Sequence, residues 1–463
     1  MRLHRASRSR TVDGTLLFQI LRFSVPLALT GILQLVFNAM DNLVVGKFSG
    51  ASAPAAVGAT TSLVHLIVGA FNGMSIGANI VVARAIGGEQ DDQIKRAVNC
   101  AFALSGILGV AVMCLGVPLS STMLAWMGTP EEILPLSARY LQIYFLGAPA
   151  LVVFNFAAAV LRAYNDTTHP LLILSGCGVV NVALNLLFVI QLRMDVAGVA
   201  LATTISQYLS LILILVFFLK ANGTMKLRIR SVRLYPREAV DILAAGFPAG
   251  IQVIVFNTAN VLIQSSVNIF GTHVIAANTA SGSLCGFVYT AMNSVYHASV
   301  TFTSRAMGNR NYSAIPKLLN ICLTAVFLIY LPLALVVSAF CPQLLGIFLS
   351  RKEPGYEIII QQGVIRTLYC VIPYFVCGFM EVLCGVIRGM GRAWLPMIVS
   401  TIGSCLVRIL WIATIFRASK SLTVLYLVFP VSWIITAAMH LGCFAVLYRR
   451  LIRNEKNFAR FRN

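Results

Sequence analysis

Continuous apolar runs of roughly 20 to 30 residues, long enough for a helix to cross the hydrocarbon core of a bilayer, recur along the whole chain. Inside a bilayer only helices and closed barrels satisfy every backbone group, and a barrel would show short alternating strands instead. The composition agrees: 58% of the 463 residues are hydrophobic and 11% charged, with a mean hydropathy of +0.85. A soluble domain is excluded; the reading is an all-α integral membrane protein with room for about a dozen spans. Helices are expected to begin near Leu16, Pro54, Ile94, Ser137, Pro170, Val196, Ala239, Val274, Ile315, Ile358, Leu395 and Val424. The first run follows a basic segment, but it is too long for a cleaved leader and carries an acid, Asp41.

The formal net charge of +20 is distributed rather than patched. With the N-terminus inside, 26 of the 35 Lys and Arg fall on the cytoplasmic side, eight outside, and one, Arg408, within a helix. This positive-inside bias predicts cytoplasmic termini and a multi-pass protein of the cell (inner or plasma) membrane. The excess charge then orients helices and touches anionic membrane lipid, and no nucleic-acid partner is expected. The eleven cysteines form no C-x-x-C, and Cys370, Cys377 and Cys384 make one helical stripe. Small buried hydrophobes account for them, not a metal cluster.

The chain is written twice. Phe37-Asn38-Ala39-Met40-Asp41 recurs as Phe256-Asn257-Thr258-Ala259-Asn260, and Arg84-Ala85-Ile86-Gly87 as Arg305-Ala306-Met307-Gly308. Leu161-Arg162-Ala163 with Pro170 recurs as Ile387-Arg388-Gly389 with Pro396; Asn72 maps on Asn293, and Asn155 on Glu381. Six helices per half return the chain to its starting side, so the halves are expected as two six-helix bundles about a pseudo-twofold axis along the membrane normal. The expected divisions are a basic tail over 1–15, an N-lobe over 16–220, a linker over 221–238, a C-lobe over 239–449 and a basic tail over 450–463.

These motifs carry a family resemblance. FNAMDNLVVGKFSG in the first helix, ARAIGGEQ after the second and LRAYNDTTHP after the fourth are followed by NVALNLLFV, AGVALATTISQ and VIRGMGRAWLP. In order and duplicated, they resemble a multidrug and toxic compound extrusion (MATE) transporter from about Leu16 to Arg450. The resemblance implies twelve helices in two bundles and export of amphipathic, often cationic compounds driven by inward Na⁺ or H⁺. It departs in two places: Asn185 stands where many relatives place Asp, and Asn165 where they have a loop glycine. The first departure removes one charge from a Na⁺ site.

Candidate sites follow from helix spacing. Gln34, Asn38 and Asp41 share one face at i, i+4 and i+7. An acid in a membrane helix usually faces an interior and an ion or proton path. Counting along helices brings Asp41, Asn181, Asn185 and Thr203 to similar depth. Carboxylate, amide and hydroxyl oxygens suit a hard cation, so these four are candidate Na⁺ ligands; the resemblance points to the same positions. The bland alternative is a hydrogen-bond cluster that holds the lobe together. An acid among neutral neighbours can equally exchange a proton, so the coupling ion, H⁺ or Na⁺, stays open, and no cofactor is expected. Glu381 is the second intramembrane acid, either a C-lobe cation site or half of a structural pair with Arg408. Polar stripes at Asn257, Asn260 and Gln264, at Tyr289, Asn293 and His297, and at Asn72, Ser75 and Asn79 are candidate cavity walls. Gly69, Gly73 and Gly77 form a small-x-x-x-small ladder that reads as close helix packing.

The expected protein is therefore a monomeric secondary antiporter, not an enzyme, for a small amphipathic substrate. The alternatives are a lipid-linked precursor flippase of the same superfamily, whose anionic cargo should demand several deep cations, and a membrane enzyme. H-E-x-x-H and P-loop motifs are absent from the sequence. The charge bias makes a direct prediction: in a Cys-less background, a cysteine at Asn222 should be labelled only from the cytoplasm and one at Ser419 only from outside. Labelling of position 222 from outside intact cells would overturn the orientation.

Overall fold

In the computed structural model the described residues are 13–48, 52–349 and 355–460, so most of the basic N-terminal tail lies outside them. Among them all regular structure is helical. Twelve spans follow in order: α1 Asp13–Phe48, α2 Ser52–Gly87, α3 Asp91–Trp126, α4 Leu134–Leu146 with Ala148–Ala163, α5 Thr168–Gln191 and α6 Asp195–Lys220. The second six are α7 Pro236–Val267, α8 Thr272–Gly308, α9 Ala314–Ala339, α10 Tyr356–Val371 with Tyr374–Gly389, α11 Trp394–Ser419 and α12 Leu422–Arg460. Each starts one to three residues before its expected position. In four of them the extra residues include an acid, Asp91, Asp195, Glu238 and Glu357, placed where a carboxylate meets the positive end of the helix dipole.

Nine of these helices are long and apolar enough to cross a membrane, and α4 and α10 join them as broken spans bent by 47° and 41°. Both bends fall at proline: Pro149 opens the second half of α4, and Pro373 precedes that of α10. The twelfth, α8, has 37 residues but a Ser-, Thr- and Asn-rich sequence that masks it in a hydropathy count. Three of its hydroxyls are satisfied on its own backbone: Ser294, Ser299 and Thr301 donate to the carbonyls of Ala291, Tyr296 and His297 at 2.7, 2.8 and 2.9 Å. A polar helix built this way exposes little unpaired polarity to its neighbours.

The chain gathers into two compact units. The N-terminal unit holds residues 29–257 and 391–397; the C-terminal unit holds the chain up to residue 28 with 258–390 and 398–463. The division therefore runs through α1 and α7. The glycine ladder gives the reason on the N-terminal side. A Cβ on Gly77 would stand 2.0 Å from the Ile242 carbonyl oxygen, and one on Gly73 2.8 Å from the Gly250 nitrogen. From the other side, a Cβ on Gly246 would stand 2.2 Å from the Met74 oxygen. The backbones of α2 and the first half of α7 thus meet directly, as small-residue seams permit. In the C-terminal unit Ile20, Phe23, Ser24 and Ala28 of α1 are buried, with Phe23 edge-on to Phe302 of α8 at 5.9 Å.

The internal repeat is visible in side-chain contacts. Arg162 of α4 donates to Ser75 Oγ of α2 at 3.5 Å, and Arg388 of α10 donates to the Tyr296 hydroxyl of α8. Ser75 and Tyr296 are 221 positions apart, the same offset as Arg84 and Arg305. Both arginines are buried, so each half tethers the end of its bent span by a guanidinium.

The seam predicts a sharp contrast. Gly77→Ala should lower the thermal unfolding midpoint of the detergent-purified protein, costing about 1–3 kcal/mol because only backbone can give way. Gly106→Ala on α3, where a Cβ meets nothing within 4 Å, should leave the midpoint unchanged. Equal midpoints for the two variants would show that α2 and α7 are not in backbone contact.

Candidate cation-coupling site

Asp41 sits on the second half of α1, half-buried within the N-terminal unit. Its Oδ1 accepts a 2.5 Å hydrogen bond from Asn185 Nδ2 of α5. The same nitrogen donates to Asn181 Oδ1, one turn back, at 3.3 Å, and Asn181 Nδ2 donates to Thr203 Oγ1 of α6 at 3.4 Å. The four residues chosen by depth and helix spacing are joined in one hydrogen-bonded chain across three helices. Asn181 and Asn185 are buried, and the Asn185 carbonyl oxygen has no hydrogen-bond partner. A buried acceptor left open beside a carboxylate calls for a positive group to complete it. The donor set is oxygen only (carboxylate, two carboxamides, hydroxyl), which fits a proton or a small hard cation.

The chemistry of the site comes from its setting. One turn past Asp41, Val44 and Val45 pack with Val189, Val196, Val199, Ala200 and Tyr140 into an apolar cluster. That cluster closes the site on one side and strengthens any charge interaction inside it. A π-helical turn, Leu187–Gln191, follows Asn185 directly, as such insertions often do beside functional residues. Tyr140 and Tyr144 of α4 stack at 6.3 Å and lie close enough for the Asp41 charge to act on them. The sequence reading missed both, although their i, i+4 spacing on a bent span was the available signal.

The remaining sequence candidates separate by environment. Gln34, Asn38 and Asn72 are exposed on the N-terminal unit. Ser75 and Asn79 are not wall residues: both are buried, and Asn79 donates to the Ala159 carbonyl at 3.1 Å. On α7, Asn257 belongs to the N-terminal unit, and Asn260 and Gln264 belong to the C-terminal unit. Gln264 is held by Asn278 at 2.5 Å and by Asn268 at 3.0 Å. On α8, Asn293 donates to the Tyr289 hydroxyl at 3.3 Å, and His297 lies edge-on to Tyr296 at 5.1 Å.

The pairing of Glu381 with Arg408 does not form. Arg408 donates to Asn260 Oδ1 at 3.1 Å and to Ser432 Oγ at 3.2 Å, and lies 5.1 Å over the Phe429 ring. The cation whose charge reaches Glu381 is Arg388, two turns along the same helix, and the charge of Glu381 acts in turn on Tyr289 and Tyr296. A π-helical segment in α11, Thr401–Leu406, lies between the helix start and Arg408 and shifts the residue off the ideal α-helical register. The C-terminal unit also carries an aromatic run that spacing did not reveal: Tyr289 stacks on Tyr374 at 6.4 Å, Tyr374 on Trp433 at 5.0 Å, and Trp433 meets Phe429 at 5.9 Å.

With no shared contact, Glu381→Gln and Arg408→Gln should act on unfolding free energy additively, within about 0.5 kcal/mol. Asn260→Ala should cost about 1.5–3 kcal/mol by removing an acceptor from a buried guanidinium. A double mutant markedly more stable than the sum of the singles would restore the ion pair.

Similarity to known proteins agrees with this architecture. The MatE family profile matches residues 26–187 and 248–414, one copy in each half. The chain is 25% identical over 386 residues to the probable multidrug resistance protein YoeA of Bacillus subtilis (strain 168), covering 82% of each. It is 31% identical over 266 residues to the probable multidrug resistance protein YpnP of the same strain, covering 57% of this chain and 59% of the relative. Among solved structures, an outward-facing multidrug resistance MATE family transporter of the MOP superfamily superposes with a TM-score of 0.87 at 21% identity, covering 96% of this chain and 100% of that one. With the duplicated profile spanning both halves and the helical architecture shared end to end, the chain belongs to the MatE family.

Proposed function

We propose that the protein is a secondary antiporter that exports lipophilic, cationic small molecules in exchange for H⁺ or Na⁺, with Asp41 as the coupling acid. The observation that carries this reading is a single carboxylate held among neutral oxygens: Asp41 bonded to Asn185, which is linked through Asn181 to Thr203. A neutral amide donor orients the carboxylate without neutralising it, so the acid can take up and release a cation. The open Asn185 carbonyl supplies a further oxygen within the same buried cluster. The relatives named as multidrug resistance proteins support the export of drug-like compounds. The aromatic run from Tyr289 to Phe429 offers flat rings to such compounds, which favour a cation over their faces. Coupling requires only that the ion and the exported compound favour different conformations. The same reading places both termini in the cytoplasm, and the protein in the cell membrane as a monomer that catalyses no reaction.

Purified protein in liposomes should expel a fluorescent lipophilic cation under an imposed pH or Na⁺ gradient, the two applied separately. Asp41→Asn should abolish gradient-driven movement with near-parental expression. Asn185→Asp, which sets a second carboxylate beside the first, should raise the share of transport driven by Na⁺. Undiminished gradient-driven transport by Asp41→Asn would move coupling away from this site.

A further inference from the structure

Five cations and no acid lie between residues 221 and 237, where the chain passes from α6 to α7: Lys226, Arg228, Arg230, Arg233 and Arg237. The segment that carries them is fastened to the N-terminal unit. The Leu227 amide donates to the Phe218 carbonyl at 3.0 Å, which brings the chain back to the last turn of α6. The Tyr164 hydroxyl, just past α4, lies 3.0 Å from the Thr224 hydroxyl, and the Cys100 thiol of α3 donates to the Tyr235 carbonyl at 3.6 Å. Leu227 is buried in the core of the unit, and Met225, Val232 and Tyr235 pack against that core. The depth of this strap follows from α3. The charged residues of that helix run from Asp91 to Arg96, and its apolar run opens at Cys100. Cys100 is nine residues in, about 14 Å along the axis. Its contact with Tyr235 therefore sets the strap beside the junction of polar turns and apolar run, where headgroups give way to hydrocarbon.

The outward side chains suit that level. Arg228, Arg230 and Arg233 are exposed, and between them Ile229 and Leu234 are 71% and 47% exposed. Among the described residues no carboxylate forms an ion pair with any of the five cations. A soluble polyanion would balance the cations but leave Ile229 and Leu234 in water. A neutral bilayer would take up the two apolar side chains but leave the charge unbalanced. An anionic bilayer surface does both, since basic residues near it are attracted and apolar neighbours enter the acyl boundary. We propose that residues 223–237 form a lipid-binding strap: Arg228, Arg230 and Arg233 hold the phosphates of anionic phospholipids while Ile229 and Leu234 enter the edge of the hydrocarbon. A guanidinium fork pairs well with phosphate oxygens. The strap is separate from the Asp41 cluster and does not rest on the coupling reading.

The test places a fluorophore on Ile229→Cys in the full-length Cys-less protein, reconstituted in phosphatidylcholine vesicles. A fixed small fraction of the lipid carries a nitroxide quencher near the top of its acyl chain, on phosphatidylglycerol in one set and on phosphatidylcholine in the other. Phosphatidylglycerol should quench several times more strongly, and the excess should shrink as salt rises. Combining Arg228→Gln, Arg230→Gln and Arg233→Gln should raise the phosphatidylglycerol needed for the same quenching by about tenfold or more, since each cation near an anionic surface contributes about fivefold. These side chains point outward and Leu227, Val232 and Tyr235 stay in place, so the thermal unfolding midpoint of that variant in detergent should match the parent's. The same three positions changed to lysine should keep the preference for phosphatidylglycerol. Equal quenching by the two lipids, or a glutamine variant with the parent's preference, would overturn the proposal. So would an absence of quenching by either lipid, which would leave the cations to a soluble polyanion.

Discussion

Hydrocarbon offers no partner to a backbone N–H or to a side-chain charge, so each intramembrane charge must be met inside the protein. Both units meet this constraint with neutral polar groups. In the N-terminal unit, Asp41 is met by a neutral amide from Asn185, and the amide is oriented in turn by Asn181. In the C-terminal unit two buried guanidinium groups are met in the same way: Arg388 on Tyr296, and Arg408 on Asn260 and Ser432. Neutral oxygens surround these cations, and Glu381 does not neutralise Arg408. Such groups are oriented by dipoles, which leaves their charge available to a mobile ion.

Holding those dipoles in place falls to helix packing. The reciprocal seam of Gly73 and Gly77 with Gly246 and Gly250 brings two backbones into contact, with little side chain between them to adjust. Rigid backbone contact of this kind fixes α2 and the first half of α7 within one unit, while the paired tethers Arg162–Ser75 and Arg388–Tyr296 fix the ends of the bent spans. The unit boundaries fall inside α1, after residue 28, and inside α7, after residue 257. Pro26 and Pro248 each remove a backbone hydrogen bond within these helices.

Legibility in the sequence followed the regularity of the helices. Asp41, Asn181, Asn185 and Thr203 lie where an ideal 3.6-residue period and a 1.5 Å rise predict them, and all four are joined by hydrogen bonds. Arg408 lies after a π-helical segment, where the ideal period no longer holds, and its bonds run to Asn260 and Ser432, which leaves the cation-site reading of Glu381, the other one open in the sequence. The aromatic run joins Tyr289, which a polar stripe does mark, to Tyr374, Trp433 and Phe429 on other helices, and no periodicity within one helix reveals contacts between helices.

Asn185 bears on what a single acid can do. A site with two carboxylates keeps a negative charge after one monovalent cation binds, whereas Asp41 alone becomes neutral. On the proposed reading, occupied and empty states then differ by one full charge within an apolar enclosure made by Val44, Val45, Val189 and Val199. The occupied state can be buried at little electrostatic cost; the empty state is expensive unless water or another cation reaches the carboxylate. The difference in solvation alone would favour closed packing around an occupied Asp41 and open packing around an empty one. That is the differential free energy an exchange mechanism needs, and it requires no second acid.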